Sequence, residues 1–182
     1  MMSLHAASLA ETHAIAAAVA ASCRSGDLVV LAGQMGAGKT AFAQGFGAAL
    51  GIGEPITSPT YNLVHSYDMG RLTLHHADIY RLGSQHELAD LALSELLEDD
   101  GIVLVEWGDV VAHSLGDHLM VKLAHLDETG DDPGSDDTAD HHPAVHDPAV
   151  HDSARVLTVA CTGRTWAARW DRLTTALQGF QR

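Results

Sequence analysis

The octapeptide Gly33-Gln-Met-Gly-Ala-Gly-Lys-Thr40 constrains this chain more than any other segment. It follows Leu28-Val-Val-Leu31, a continuous apolar run of the kind that forms a strand buried on both faces. It opens a stretch from Lys39 to about Leu50 that reads as a helix and that Gly51 and Gly53 end. The octapeptide fits G-x-x-x-x-G-K-[ST] in full, with a strand before it and a helix after it. Its glycines let the backbone turn so that successive N–H groups ring a phosphate chain, and the helix N-terminus adds partial positive charge. Lys39 is then expected to reach the β- and γ-phosphates of a purine nucleoside triphosphate, and the Thr40 hydroxyl to ligate Mg²⁺. Only two lysines occur in the chain, Lys39 and Lys122, and one of them stands at the obligatory position of the motif.

Such a loop needs a second acidic group for the metal or its water, usually at the end of a buried strand beside the first. Ile102-Val-Leu-Val-Glu106-Trp107 supplies that pattern, with Glu106 where the apolar run stops. Asp78 is a further candidate, at the end of a strand expected over Leu72–His76. Taken alone, Asp78 fits a capping or surface aspartate equally well, and Trp107 fits the core.

Around these segments the chain reads as α/β. The N-terminal stretch from Met1 to Gly26 lacks the cationic start and apolar centre of a signal peptide and is expected to be helical. The helix itself is expected from about Thr12 to Cys23, with Ile15, Val19 and Cys23 on one face. Asn62–Tyr67 and Leu72–His76 flank Asp68-Met-Gly-Arg71 as a hairpin, and Leu88 to Glu98 is expected to be helical. His118–Leu126 and Arg155–Ala160 read as paired antiparallel strands, followed by a helix from about Trp166 to Leu177.

Composition narrows the classes. At 182 residues and 46% apolar, the chain suffices for one core, so a single domain is expected over residues 1–182. Residues 127–154 hold nine acids, four histidines and no Lys or Arg; removing those nine acids from a net charge of −14 leaves −5 for the rest. This acidic, Pro- and His-rich insertion is expected to be a disordered loop, and its histidine spacing matches no closed metal site. Neither part carries the clustered cations of a phosphate-backbone binder, so RNA would have to be gripped by something else. Cys23 and Cys161 read as small core residues in a reducing cytosol. With no long apolar run, a cytoplasmic protein without a membrane span is expected. The guanine-reading Asn-Lys-x-Asp element, an arginine-rich lid and helicase motifs do not occur.

Four motifs in order resemble the TsaE (YjeE) family. They are the P-loop, Ser58-Pro-Thr-Tyr61 with Leu63-Val64, His76-x-Asp78-x-Tyr80-Arg81-Leu82, and Leu104-Val-Glu-Trp107. The resemblance covers about residues 10–126 and, more loosely, the closing strand and helix. It implies a P-loop NTPase-like α/β fold with a mixed central sheet flanked by helices. It implies an ATPase, weak alone, that serves tRNA threonylcarbamoyladenosine (t6A) biosynthesis with TsaD-like and TsaB-like partners and meets tRNA only through them. By position it places Gly33, Met35, Gly36, Ala37, Gly38, Lys39, Thr40 and Ala41 around ATP, with Thr40 and Glu106 at Mg²⁺. Asp78 is then a candidate for orienting water, Ser58 and Thr60 belong to a loop over the nucleotide, and Trp107 packs beside it. Gln34 stands where relatives usually carry Asp, and Ala41 where they often carry Thr. Neither change removes an N–H donor, so nucleotide binding is expected to survive. A small-molecule kinase that passes on the γ-phosphate is the alternative, and a nucleotide-binding adaptor without turnover is a third.

Overall fold

The computed structural model describes residues 1–59, 63–80, 93–98, 100–109, 112, 115–126 and 154–181. Seven strands enter one sheet: β1 (Met2–Ala6), β2 (Leu28–Ala32), β3 (Val64–Asp68), β4 (Thr73–Asp78), β5 (Gly101–Glu106), β6 (His118–His125) and β7 (Arg155–Thr162). Their order is β1-β7-β6-β2-β5-β4-β3. The four central strands β6, β2, β5 and β4 run parallel, while β1 and β7 on one side and β3 on the other pair antiparallel. The expected mixed sheet with antiparallel C-terminal strands is therefore present.

The sheet is covered on both faces. Every residue of β2 and β5 is buried, as the unbroken apolar runs require. Val29 and Leu31 join the core against α1 (Leu9–Ala20) and α2 (Lys39–Ala49), which also holds Phe42, Phe46, Trp166 and Leu173. Leu28 and Val30 face the opposite way, with Val103, Val105 and Leu93 of α3 (Leu93–Glu98). The chain closes with α4 (Arg164–Ala167) and α5 (Trp170–Leu177). Asp27, buried just before β2, accepts two bonds from the Arg169 guanidinium, at 2.6 and 2.8 Å, and ties the start of the P-loop strand to the turn between α4 and α5.

Several expected boundaries move. The N-terminal stretch is not wholly helical: Met2–Ala6 is a strand, with Met2, Leu4 and Ala6 buried at period two against β7. The first helix begins at Leu9, because the Ser8 hydroxyl accepts the Glu11 N–H at 3.2 Å while the Glu11 carboxylate takes the Ala7 N–H at 2.7 Å. It ends at Ala20, so Cys23 lies beyond it, with its thiol on the Val19 carbonyl. Burial pushes that thiol well above the usual cysteine value. Strand β4 runs two residues further than expected and ends on Asp78 itself. The final helix is broken around Arg169 into α4 and α5. The expected helix over Leu88–Glu98 is described only from Leu93, and the insertion only at Ala154. Among the described residues no helix is long and apolar enough to cross a membrane.

Helices α1 and α2 pack closely because Gly45 has no side chain: a Cβ there would lie 2.6 Å from the His13 Cα. Gly45→Ala gains about 1 kcal/mol in helix propensity, but overpacking against backbone that cannot yield costs about 1–3 kcal/mol. Urea unfolding is expected to show net destabilisation; a more stable variant would mean that the helices separate freely.

Candidate functional site

The site forms where three parallel strands stop. β2 ends at Ala32 and runs into the glycine loop, while β4 and β5 end side by side with Asp78 in register with Glu106 and Leu31 in register with Glu106 on the other side. Gly33, Gly36 and Gly38 have φ of 131°, 79° and 103°, in the region that favours glycine. A Cβ on Gly33 would run into the Leu123 carbonyl oxygen and lie 3.2 Å from the Ala37 Cβ, so the loop rests flush against β6. Gly38 precedes α2 with no side-chain cap, which leaves the helix's first N–H groups directed into the loop.

Lys39 is buried, and its ammonium donates to the Gly33 and Gln34 carbonyls, each at 2.8 Å. It also sits 3.6 Å from the centre of the Trp107 ring. Burial pulls the ammonium below the usual lysine value; the Glu106, Asp109 and Asp78 carboxylates oppose this. The Thr40 hydroxyl donates to Glu106 Oε2 at 3.3 Å, and Glu106 Oε1 meets His76 Nε2 at 3.0 Å. Glu106 is buried, at 2% exposure, so it is not an ordinary exposed strand-end glutamate.

Asp78 is engaged through both oxygens: Oδ2 accepts the Ser58 hydroxyl at 2.5 Å and Oδ1 the Tyr80 N–H at 3.0 Å. Ser58 is thereby brought to the strand ends from the loop after α2. Trp107 has φ of +65°, a conformation that costs a non-glycine residue about 1–2 kcal/mol. Its N–H donates to the Leu31 carbonyl at 2.8 Å, and its ring packs 4.7 Å from that of Tyr80. The strained turn thus sets the indole under the Lys39 ammonium while it still packs against the core layer of Val30 and Val105. Ala37 is buried under the loop, Met35 is 70% exposed at its tip, and Ala41 is half-buried in the first turn of α2. Thr60 lies outside the described residues.

An open cleft of about 390 Å³ adjoins the loop, lined by Gly33, Gln34, Trp107, Asp109, Lys122, Leu123 and Ala124. Phosphates fit the chemistry of this region, with a glycine loop held at positive φ, a helix N-terminus and a buried ammonium. A divalent cation fits as well, since Thr40 and Glu106 bring two hard oxygen donors together. Among the described residues no three His, Cys, Asp or Glu side chains form a metal cluster. One hydroxyl and one carboxylate are the kind of protein share that Mg²⁺ takes when phosphate oxygens and water complete its shell.

Sequence reasoning missed two buried residues here. His76, quoted only as part of a motif, is fully buried against Glu106. Arg155, the first residue of β7, is buried, and its Nε donates to the Ala37 carbonyl at 3.0 Å. Neither contact has a local signal, because the partners lie 30 and 118 residues apart.

A family model described as "Threonylcarbamoyl adenosine biosynthesis protein TsaE" matches residues 6–132. The chain is 40% identical over 121 residues to the tRNA threonylcarbamoyladenosine biosynthesis protein TsaE of Bacillus subtilis, across 65% of this chain and 75% of that one. It is 45% identical over 93 residues to the protein of the same name from Treponema pallidum, across 51% and 68%. Its fold is similar to the crystal structure of Bacillus subtilis YdiB, with a TM-score of 0.67 and 27% identity over 96% of this chain and 94% of that one.

Arg155 holds one wall of the glycine loop. Arg155→Met keeps the apolar stem but removes the donor to the Ala37 carbonyl, and is expected to cost about 1–3 kcal/mol in urea unfolding. An unchanged midpoint would mean that this contact contributes nothing to the loop.

Proposed function

The chain belongs to the TsaE family, and on that premise we propose that it is the cytoplasmic ATP-binding and ATP-hydrolysing component of a t6A modification complex on tRNA. The observation that carries this reading is the meeting of Lys39, Thr40 and Glu106 at the ends of β2 and β5. In this reading the loop from Gly33 to Ala41 holds the triphosphate through its N–H groups, and Lys39 adds its charge at the β- and γ-phosphates. Thr40 and Glu106 hold Mg²⁺, which when bound neutralises charge that builds on the phosphate oxygens. Asp78, kept in place by Ser58 and the Tyr80 N–H, orients the water that attacks the γ-phosphorus, and ADP and phosphate leave. Ser58 and Thr60 belong to the loop over the nucleotide, and Trp107 packs beside it.

The charge of the chain supports a division of labour within such a complex. Its net charge is −14, and the part outside the acidic insertion is still negative, so the cationic grip on tRNA belongs to TsaD-like and TsaB-like partners. Hydrolysis then resets those partners between rounds. One domain spans residues 1–182 in this reading, and residues 127–154 are an insertion without an assigned task.

Co-purification with TsaD-like and TsaB-like proteins, followed by ATP hydrolysis assays with and without them, tests the proposal. The complex is expected to stimulate hydrolysis, and Lys39→Ala and Glu106→Ala each to lower the stimulated rate about 100-fold or more. Without Mg²⁺, Glu106→Ala is expected to bind ATP as the parent chain does, whereas Lys39→Ala binds it more weakly. Absence of both complex and stimulation would overturn the reading, and phosphate recovered on a small metabolite would replace it with a kinase.

A further inference from the structure

Glu106 is the last residue of its strand, and nothing in β5 fixes how its carboxylate turns. Two donors from other elements do so: Thr40 at the start of α2 holds Oε2, and His76 in β4 holds Oε1. His76 pairs with Leu104, and Asp78, two residues on, pairs with Glu106; His76 and Asp78 therefore share the face of β4 toward which Glu106 projects. The preceding residue, His75, alternates to the other side and meets the Ser66 hydroxyl at 2.8 Å.

The His76 ring is fully buried, and among the described residues its Nδ1 has no hydrogen-bond partner. A proton on Nδ1 would be buried without an acceptor, so the ring carries its proton on Nε2 and donates it to Glu106. An apolar residue would fill the same space with no orphaned atom. Among the described residues the ring's polar contact is the one to Glu106.

We propose that His76 is a positioning residue for Glu106, holding its carboxylate in the orientation that presents Oε2 beside the Thr40 hydroxyl for Mg²⁺. This rests on the nucleotide and Mg²⁺ reading of the site. His76 touches neither nucleotide nor metal; it acts by removing the rotational freedom of the carboxylate that does, much as hydrogen-bond partners behind metal ligands orient them elsewhere.

The test is ADP binding by calorimetry to the full chain, in EDTA and across a MgCl2 series, for the parent chain, His76→Phe and His76→Gln. Phe fills the ring's space without a donor, and Gln carries an N–H2 at about the depth of Nε2. His76→Phe is expected to raise the MgCl2 concentration needed for half-maximal tightening about 10-fold or more, to change ADP affinity in EDTA by less than about twofold, and Gln to recover most of the loss. Thermal melting confirms that each variant is folded; if His76→Phe is not, His76→Met takes its place in the comparison. A MgCl2 response in the donor-free variant that matches the parent overturns the role of His76 alone. So does an equal loss of ADP affinity in EDTA, which is the mark of a merely structural residue. A parent chain that binds no ADP overturns the nucleotide reading itself, and one that binds it without any response to MgCl2 overturns the Mg²⁺ reading of Thr40 and Glu106 and the role of His76 with it.

Discussion

The pairing of β2 with β5 is the constraint from which the site follows. Both strands bury both faces, so each residue has an assigned place in one core layer or the other. A slip of one residue would exchange the layers and break the packing of Val29 and Leu31 against the helices. With the register held, Leu31 stands opposite Glu106, and the carboxylate emerges where the glycine loop begins. The neighbouring strands inherit the alignment: β4 brings Asp78 level with Glu106, and β6 brings Lys122 level with Ala32.

Placing charges at the end of such a core carries a desolvation cost, and the partners show how it is offset. Lys39 is surrounded by two carbonyls and an indole face, Glu106 by a hydroxyl and an imidazole. Asp27, deeper in the fold, has a two-point guanidinium partner. The two arrangements differ in kind. Asp27 is locked by a charge that cannot leave, which suits a residue that only anchors a strand. Lys39 is held by neutral groups, and these hold an ammonium far more loosely than a phosphate would.

What could be read in the residues divides along the same line between local and distant contacts. The glycine loop, the two doubly buried strands and Glu106 were legible because each is announced by its immediate neighbours in the chain. The start of α1 carries a local signal too, Ser8 and Glu11 three residues apart, which the expected boundary at Thr12 overlooked. β1 was missed because Met2, Leu4 and Ala6 give only three alternating positions, and its partner β7 is far along the chain. His76 and Arg155 stood in plain view as residue types. Their importance comes from what the sheet order sets beside them, and no spacing encodes that order. Asp78 lies between: its motif marked it, while its bond to Ser58 and its level with Glu106 needed the strand pairing.

The place of β1 in the sheet has a consequence for synthesis. In the described sheet β1 pairs only with β7, with Met2 opposite Val159. A chain leaving the ribosome therefore exposes β1 with no native neighbour in that sheet until β7 has been made. The residues from Gly33 to Glu106 emerge long before β7 does, so the strands that frame the glycine loop are available for pairing while the sheet still has an open side at β6. Contacts so distant in sequence form late and leave strand edges bare in the meantime. Strand β7, made long after β1, is what gives β1 its place in the described sheet.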